Sequence, residues 1–300
     1  MLHPLSQAFA STVLSGKARG IHMSLEHSGI RSTQSGLGEL LRYWRSVRGK
    51  SQIELSLDIG VSQRHLSFIE SGRSAPSRQT LMTIAHGLDV PLRGRNHLLL
   101  AAGYAPVYVE HAWDAEEMQG INAALKRMLQ QHDPFPAMVM DRYWNVLMVN
   151  ASAPRFFNTF IDMSARPTPR NMLHLMFDPA GMRPFITHWD RTARSLIERV
   201  RREAVGHVMD ERTHELLAEL AAYPQLADKH MQASDVESEP AFPMIPLSFA
   251  KDDTELHYFS LVTTVGTPQT ITTQELRIEC LYPADEQTEA RHRALMDGSS

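Results

Sequence analysis

Gln63, Arg64, Ser67 and Phe68 follow Ser62 at a spacing that sets an amide, a guanidinium, a hydroxyl and an aromatic ring along one flank of a helix. Amides, guanidiniums and hydroxyls in that arrangement read base-pair edges, and a ring can meet a thymine methyl or pack against sugar. Such side chains work only if the helix buries its other face. Leu66 and Ile69, three residues apart, supply that face, and Ile53, Leu55 and Ile59 supply one for the helix before it. Gly60 falls between the two helices and permits a positive φ, while Val61 plugs the corner. Ser62 then offers its hydroxyl as the cap of the second helix. Two short helices joined by a tight turn place the second in the major groove, with its leading end against the bases.

Flanking segments extend the pair to five helices. Leu37, Leu40, Leu41, Trp44 and Val47 recur at helical spacing, and Gly49 closes that helix. Leu81, Ile84, Ala85 and Leu88 repeat the pattern after Ser77, and Leu92 with His97 to Ala101 gives a last helix ending at Gly103. Residues 37–102 resemble the Xre, or lambdoid-repressor-like, helix-turn-helix family. The matching strings are Gly49-Lys50-Ser51-Gln52, Gly60-Val61-Ser62, Leu66-Ser67-Phe68-Ile69-Glu70-Ser71-Gly72-Arg73 and Pro76-Ser77. The resemblance implies that Gln52 opens its helix against a phosphate and braces Gln63, and that Gln63, Arg64 and Phe68 face bases. Phe68 departs from the polar residue common there. The expected DNA-binding set is Lys50, Gln52, Ser62, Gln63, Arg64, Ser67, Phe68 and Arg73.

Charge divides the chain in the same way. Residues 37–102 hold nine Lys and Arg against five Asp and Glu, a net of +4, while residues 103–300 hold eighteen against twenty-eight, a net of −10. The basic part is expected to meet DNA through counterion release, and the acidic part to stay away from it. The whole-chain pI near 6.4 conceals this division.

Three hundred residues suggest two domains, and 43% hydrophobic content suffices for a core in each. The expected boundaries are a disordered tail over 1–34, a DNA-binding domain over 35–103, a linker over 104–112, a second domain over 113–285 and a C-terminal tail over 286–300. No apolar run approaches the roughly eighteen residues that cross a membrane. A single cysteine excludes an internal disulfide framework, and a cytoplasmic protein is expected, bacterial by resemblance. Enzyme chemistry finds no support. The fifteen histidines show no zinc spacing, Cys280 alternates with apolar neighbours, and neither a nucleophile elbow nor a phosphate-binding glycine loop is present. No metal or cofactor is expected.

Beyond Gly103 lie thirteen of the sixteen methionines. A helix is predicted over 114–131, stopped by Pro134 and Pro136, then a β-hairpin from Ala137–Met140 and Trp144–Asn150. Helices follow over 151–230, the clearest from Asp190 to Val205 with Ala193, Leu196, Ile197, Val200 and Ala204 as its stripe. Strands are predicted at Ile245–Phe249, Leu256–Val265 and Leu276–Tyr282, the last with Arg277 and Glu279 outward. The whole is therefore read as an all-α five-helix N-terminal domain followed by an α+β PAS-like domain. The latter has a five-stranded antiparallel sheet covered on one face and a helical insert between its second and third strands.

This half resembles the MmyB-like ligand-binding domain. The resemblance lies in Pro136 to Asn150, Asn171-Met172-Leu173, Phe177, Trp189, Val200-Arg201, Glu219-Leu220, Phe259-Ser260, Thr263 to Pro268, Glu275 to Glu279 and Tyr282 to Asp285. It implies a pocket for a small, lipid-like molecule, with fatty acids first among candidates. The expected ligand-binding set is Trp144, Met148, Asn150, Phe156, Phe157, Met172, Met176, Trp189, Ile197, Arg201 and Phe259. Methionine suits an apolar site of adaptable shape. Taken singly these are ordinary core residues, and Arg201 either meets a ligand carboxylate, snorkels to solvent, or pairs with Glu198 or Asp210. The expected protein is a dimeric, ligand-responsive regulator of operator DNA. The alternative is a helix-turn-helix adaptor whose second domain docks a protein.

Overall fold

The computed structural model describes residues 32–205, 211–223 and 247–298. Residues 1–31, and with them most of the tail expected over 1–34, lie outside the described residues. So do 206–210 and 224–246, which take in part of the helical region and the first two residues of the third predicted strand.

The N-terminal domain contains α1 (Ser32–Val47), α2 (Gln52–Ile59), α3 (Gln63–Glu70), α4 (Arg78–Gly87) and α5 (Leu92–Ala101). Helix α1 therefore takes in the last three residues of the expected tail. Ser62 caps α3 as expected, and α2 and α4 also start at a serine hydroxyl, whereas α5 starts at Pro91 without a side-chain cap. Ser51 and Glu54 form a reciprocal capping box on α2, and Ser62 and Ser77 accept from the third amide of α3 and α4. Gly60 turns the chain at φ 68°, a conformation that costs a residue with Cβ about 1 kcal/mol or more. The helices close on Leu41, Trp44, Leu55, Leu66, Ile69, Leu81, Ile84 and Leu98, all essentially without solvent contact. Ile53 is the exception to the inner face read from sequence. It is 56% exposed, because on an eight-residue helix Leu55 alone points into the core, with Ile59 packing at its edge.

In the second domain, α6 (Gln119–Gln131) precedes β1 (Ala137–Met140) and β2 (Val146–Val149). Then come α7 (Ser152–Asn158), α8 (Met172–Phe177), α9 (Trp189–Val205) and α10 (Glu211–Ala221). The chain returns through β3 (Leu247–Lys251), β4 (Thr254–Thr263), α11 (Ile271–Glu275), β5 (Arg277–Pro283) and α12 (Glu286–Asp297). The strands form one antiparallel sheet in the order β2-β1-β5-β4-β3, the expected PAS-like α+β arrangement with its helical insert between β2 and β3.

Two expectations need correction. The sheet is covered on both faces, because the amphipathic α6 also needs an apolar partner. Leu125 and Leu129, with Met118 just before, pack on Val139, Ile278 and Cys280, while the insert helices and α12 pack on the opposite face with Met138 and Met140. The supposed tail after 285 is helix α12. It is capped by Asp285, buries His292 and Met296, and closes one edge of the insert core.

The segment read as a linker is bonded to both domains. Asn96 of α5 accepts from the amides of Val107 and Tyr108 at 3.0 and 3.1 Å and donates to the carbonyl of Tyr108 at 2.7 Å. From the other side, Ile271 N–H donates to Val109 O at 2.9 Å, and the Thr272 hydroxyl to His111 O at 2.8 Å.

Candidate DNA interface and ligand cavities

Ser62, Gln63, Arg64 and Arg73 are exposed, and Ser67 and Phe68 are half-buried. The Phe68 ring lies between two cations, the Arg64 guanidinium carbon 5.4 Å from its centroid and that of Arg73 5.9 Å away. Ser62 uses its hydroxyl on the amide of His65. Ser62, Gln63, Arg64, Ser67 and Phe68 lie at the start and along one flank of α3, and Arg73, in the turn after the helix, comes back to the Phe68 ring.

Gln52 and Lys50 are placed differently. The Gln52 side-chain amide donates to Glu70 Oε2 at 2.7 Å, rather than bracing Gln63. Glu70, only 4% exposed, also accepts from Arg45 Nε at 2.8 Å and from its terminal nitrogen at 3.1 Å. That hydrogen-bonded pairing with Glu70 raises the affinity of Arg45 for its proton. One carboxylate at the end of α3 thus ties this helix to α1 and α2. Lys50 donates to Asp58 Oδ2 at 2.7 Å and to Gly87 O at 2.9 Å, so its ammonium holds α2 against α4. The anchoring pair Arg45 and Glu70 escaped the sequence reading. The available signal was an acidic residue ending a helix whose other exposed residues were read as facing a polyanion.

In the second domain the expected ligand-binding residues fall on both sides of the sheet. Trp144, Phe156, Phe157, Met172, Met176, Trp189 and Ile197 belong to the insert core or pack against it. Met148 lies opposite Val139 and packs on the α6 side. Phe259 lies opposite Tyr282 and stacks on it at 5.5 Å, away from that core because its register position faces the other way. Asn150 is buried but bonded throughout, accepting from the amides of Ala137 and Ala153 and donating to Phe135 O at 2.7 Å. Arg201 is exposed, one position beyond the buried stripe of α9.

Two small cavities open from the insert side. One is wholly apolar in its exposed surface, lined by Val146, Val149, Ala153, Pro154, Phe157, Met163, Met172 and Leu175 and bordered by Arg170 and Asn171, whose polar atoms do not open into it. It has room for little more than a water molecule. Arg170 donates to Met163 O at 2.8 Å, and burial lowers the affinity of its guanidinium for the proton.

The other cavity is charged and holds about one water. Trp144, Val200 and Leu216 form its apolar wall, and Arg142, Arg277, Glu203 and Thr213 its polar one. The turn that carries Arg142 and Trp144 is braced by Asp141, which accepts from the amides of Tyr143 and Asn145 at 2.8 and 2.9 Å. Trp144 is held at φ 67°, unusual for a bulky residue, with its indole buried beneath Arg199 at 4.4 Å. Arg199 pairs with Glu279 at 3.3 Å and Glu203 at 3.0 Å, and Glu203 also pairs with Arg277 at 3.0 Å. Arg277 and Glu279 therefore lie beneath α9 instead of facing solvent. Their neighbour β1 is buried along its whole length, so β5 is an interior strand.

Residues 121–295 match the family model for the MmyB-like transcription regulator ligand binding domain, and residues 41–94 match a helix-turn-helix model. No curated protein matches the chain. Among solved structures, an RNA-binding light-oxygen-voltage receptor is 12% identical with a TM-score of 0.28, over 90% of this chain. The chain spans 65% of that structure's length. So low a score says nothing of fold or function here.

Proposed function

Because the chain belongs to the MmyB-like transcription regulators, with a helix-turn-helix domain ahead of its ligand-binding domain, we propose that it is a cytoplasmic bacterial regulator. In this reading it binds a near-palindromic operator as a dimer and senses an apolar acid of the fatty-acid class. The apolar cavity bordered by Arg170 carries the ligand part of the proposal. Its wall of Phe157, Met163, Met172 and Leu175 suits an alkyl chain, and the partly desolvated Arg170 guanidinium beside it, which in this structure donates to Met163 O, is the group proposed to receive a carboxylate once the cavity opens to admit the chain. Methionine side chains re-pack readily, which is what admission of a chain into so small a cavity requires. For DNA, the proposed contacts are Gln63, Arg64, Ser67, Phe68 and Arg73, with Ser62 and Gln52 at the helix starts. Lys50 acts from within the domain.

The test is native mass spectrometry of the purified protein, followed by thermal shift with saturated acids of eight to sixteen carbons. Bound acid in the spectrum, or a melting shift abolished by Arg170→Gln, supports the reading. A second reading, a domain that docks a protein, is favoured by the small volume of both cavities. An empty spectrum together with a flat lipid panel decides for it.

A further inference from the structure

Glu275, the last residue of α11, joins the two domains. Its carboxylate, 8% exposed, accepts from Arg93 of α5 through two bonds of 2.8 Å and from Arg142 of the β1–β2 turn at 3.1 Å. The Arg93 guanidinium also donates to Glu110. Two arginines thus balance two carboxylates, and without Arg142 a single guanidinium would stand between both of them. A buried carboxylate deprived of one partner is costly, so the docking of α5 on α11 depends on where Arg142 lies.

The position of Arg142 is in turn set from the border of the apolar cavity. Asn171 donates from its side-chain amide to Tyr143 O at 2.7 Å and to Asn145 Oδ1 at 3.2 Å. On either side, Val146 N–H donates to Arg170 O at 2.8 Å and Met172 N–H to Trp144 O at 2.9 Å. Together with the bonds to Asp141, these hold Trp144 at φ 67°, which a bulky residue keeps only where its surroundings impose it. We propose that the turn over residues 141–146 is a two-state element that couples the cavity border to the DNA-binding domain. In the arrangement seen here, residues 170–172 clamp the turn and Arg142 rests on Glu275. In the other, residues 170–172 have moved, Trp144 relaxes to negative φ, and Arg142 leaves Glu275, which undocks α5 from α11. The trigger rests on the proposed function, in which an alkyl chain entering the cavity displaces residues 170–172. The coupling itself is tested without any ligand.

The experiment measures amide exchange in the full chain. Asn171→Asp keeps the oxygen that caps α8 and removes the amide that donates to the turn. Asn171→Asp and Arg142→Gln should each speed exchange over residues 92–111 about fivefold, leaving exchange in α1 and β5 unchanged. The double variant should exchange no faster than Arg142→Gln alone, because both substitutions act on one contact. Arg142→Lys, which keeps the charge, should retain most of the protection. Leu175→Val, in the same cavity wall but with no side-chain bond to the turn, should leave the segment unaffected. Unchanged exchange over residues 92–111 in Asn171→Asp overturns the proposal, as do effects that add in the double variant. If Asn171→Asp does not fold, Asn171→Ser, which keeps a capping hydroxyl, takes its place. An empty native mass spectrum would remove the alkyl chain as the trigger and leave these exchange outcomes as they stand.

Discussion

Phe68 lies on α3, the helix proposed to read bases, and its ring lies against both Arg64 and Arg73. Such contacts are worth roughly 0.5–1 kcal/mol each at exposed sites. Phe68→Ala should therefore leave the fold intact while lowering operator affinity about tenfold, and should broaden the selected consensus at the base read by Arg64. Arg73→Ala should instead lower the slope of log affinity against log salt by about one, with the consensus unchanged. A consensus altered by Arg73→Ala, measured by in vitro selection, would reverse these roles. His292 offers a second residue-level test. Its Nδ1 accepts the Tyr258 hydroxyl at 2.7 Å, and its Nε2–H donates to Pro134 O at 2.8 Å, so only the neutral ring satisfies both. Burial holds its pKa below the ordinary value of 6.5, even against the Pro134 carbonyl. The unfolded chain thus takes up a proton that the folded one refuses. Stability is full above about pH 6.5 and falls as the pH drops below it. The melting temperature of the native protein should decline more steeply between pH 7 and 5 than that of His292→Phe.

At the scale of elements, α3 is held from both ends: Ser62 caps its start, and Glu70 at its end ties it to Arg45 and Gln52. Glu70→Gln removes the charge that Arg45 and Gln52 share and should destabilise the N-terminal domain by roughly 2 kcal/mol, read from denaturant midpoints. Leu66→Ala, at a side chain with no solvent contact, should cost about 2–5 kcal/mol. Helix α12 makes the same argument in the second domain. Truncation after residue 285 deletes Met296 and the His292 partner of Tyr258, exposing the core that both help to close. A drop of roughly 10 °C in melting temperature is expected, and unchanged melting would return this segment to the status of a tail.

Across the whole molecule, the acidic half does not hang from a loose tether. Arg93 is gripped by Glu275 and Glu110, the Leu92 amide donates to Gln274 at 2.7 Å, and residues 107–111 are bonded to α5 on one side and to α11 on the other. Arg93 holds its proton more tightly than an ordinary arginine, chiefly through the bond to Glu275. Calorimetry should show one cooperative transition in the native protein and two in Arg93→Ala, since the domains keep separate hydrophobic cores. A single transition in both proteins would place the coupling elsewhere.

The amino-acid sequence by itself determined much of this protein. Helical periodicity at Leu66 and Ile69, the glycine at position 60 and the hydroxyl at Ser62 specify a helix-turn-helix through local physics alone. Alternation and turn residues likewise mark the hairpin and the strands. These signals act over a few residues, so they survive without knowledge of what lies across the core. Tertiary structure decided the rest. Which face of the sheet receives Met148 or Phe259 depends on strand register, and burial of Arg277 and Glu279 follows from β5 lying between β1 and β4. Glu70 and Glu275 gain their importance from partners 25 and 182 residues away, separations that no periodicity encodes. A long-range ion pair is settled only when packing has brought its two carriers together, because desolvation and geometry, rather than residue type, determine whether it forms.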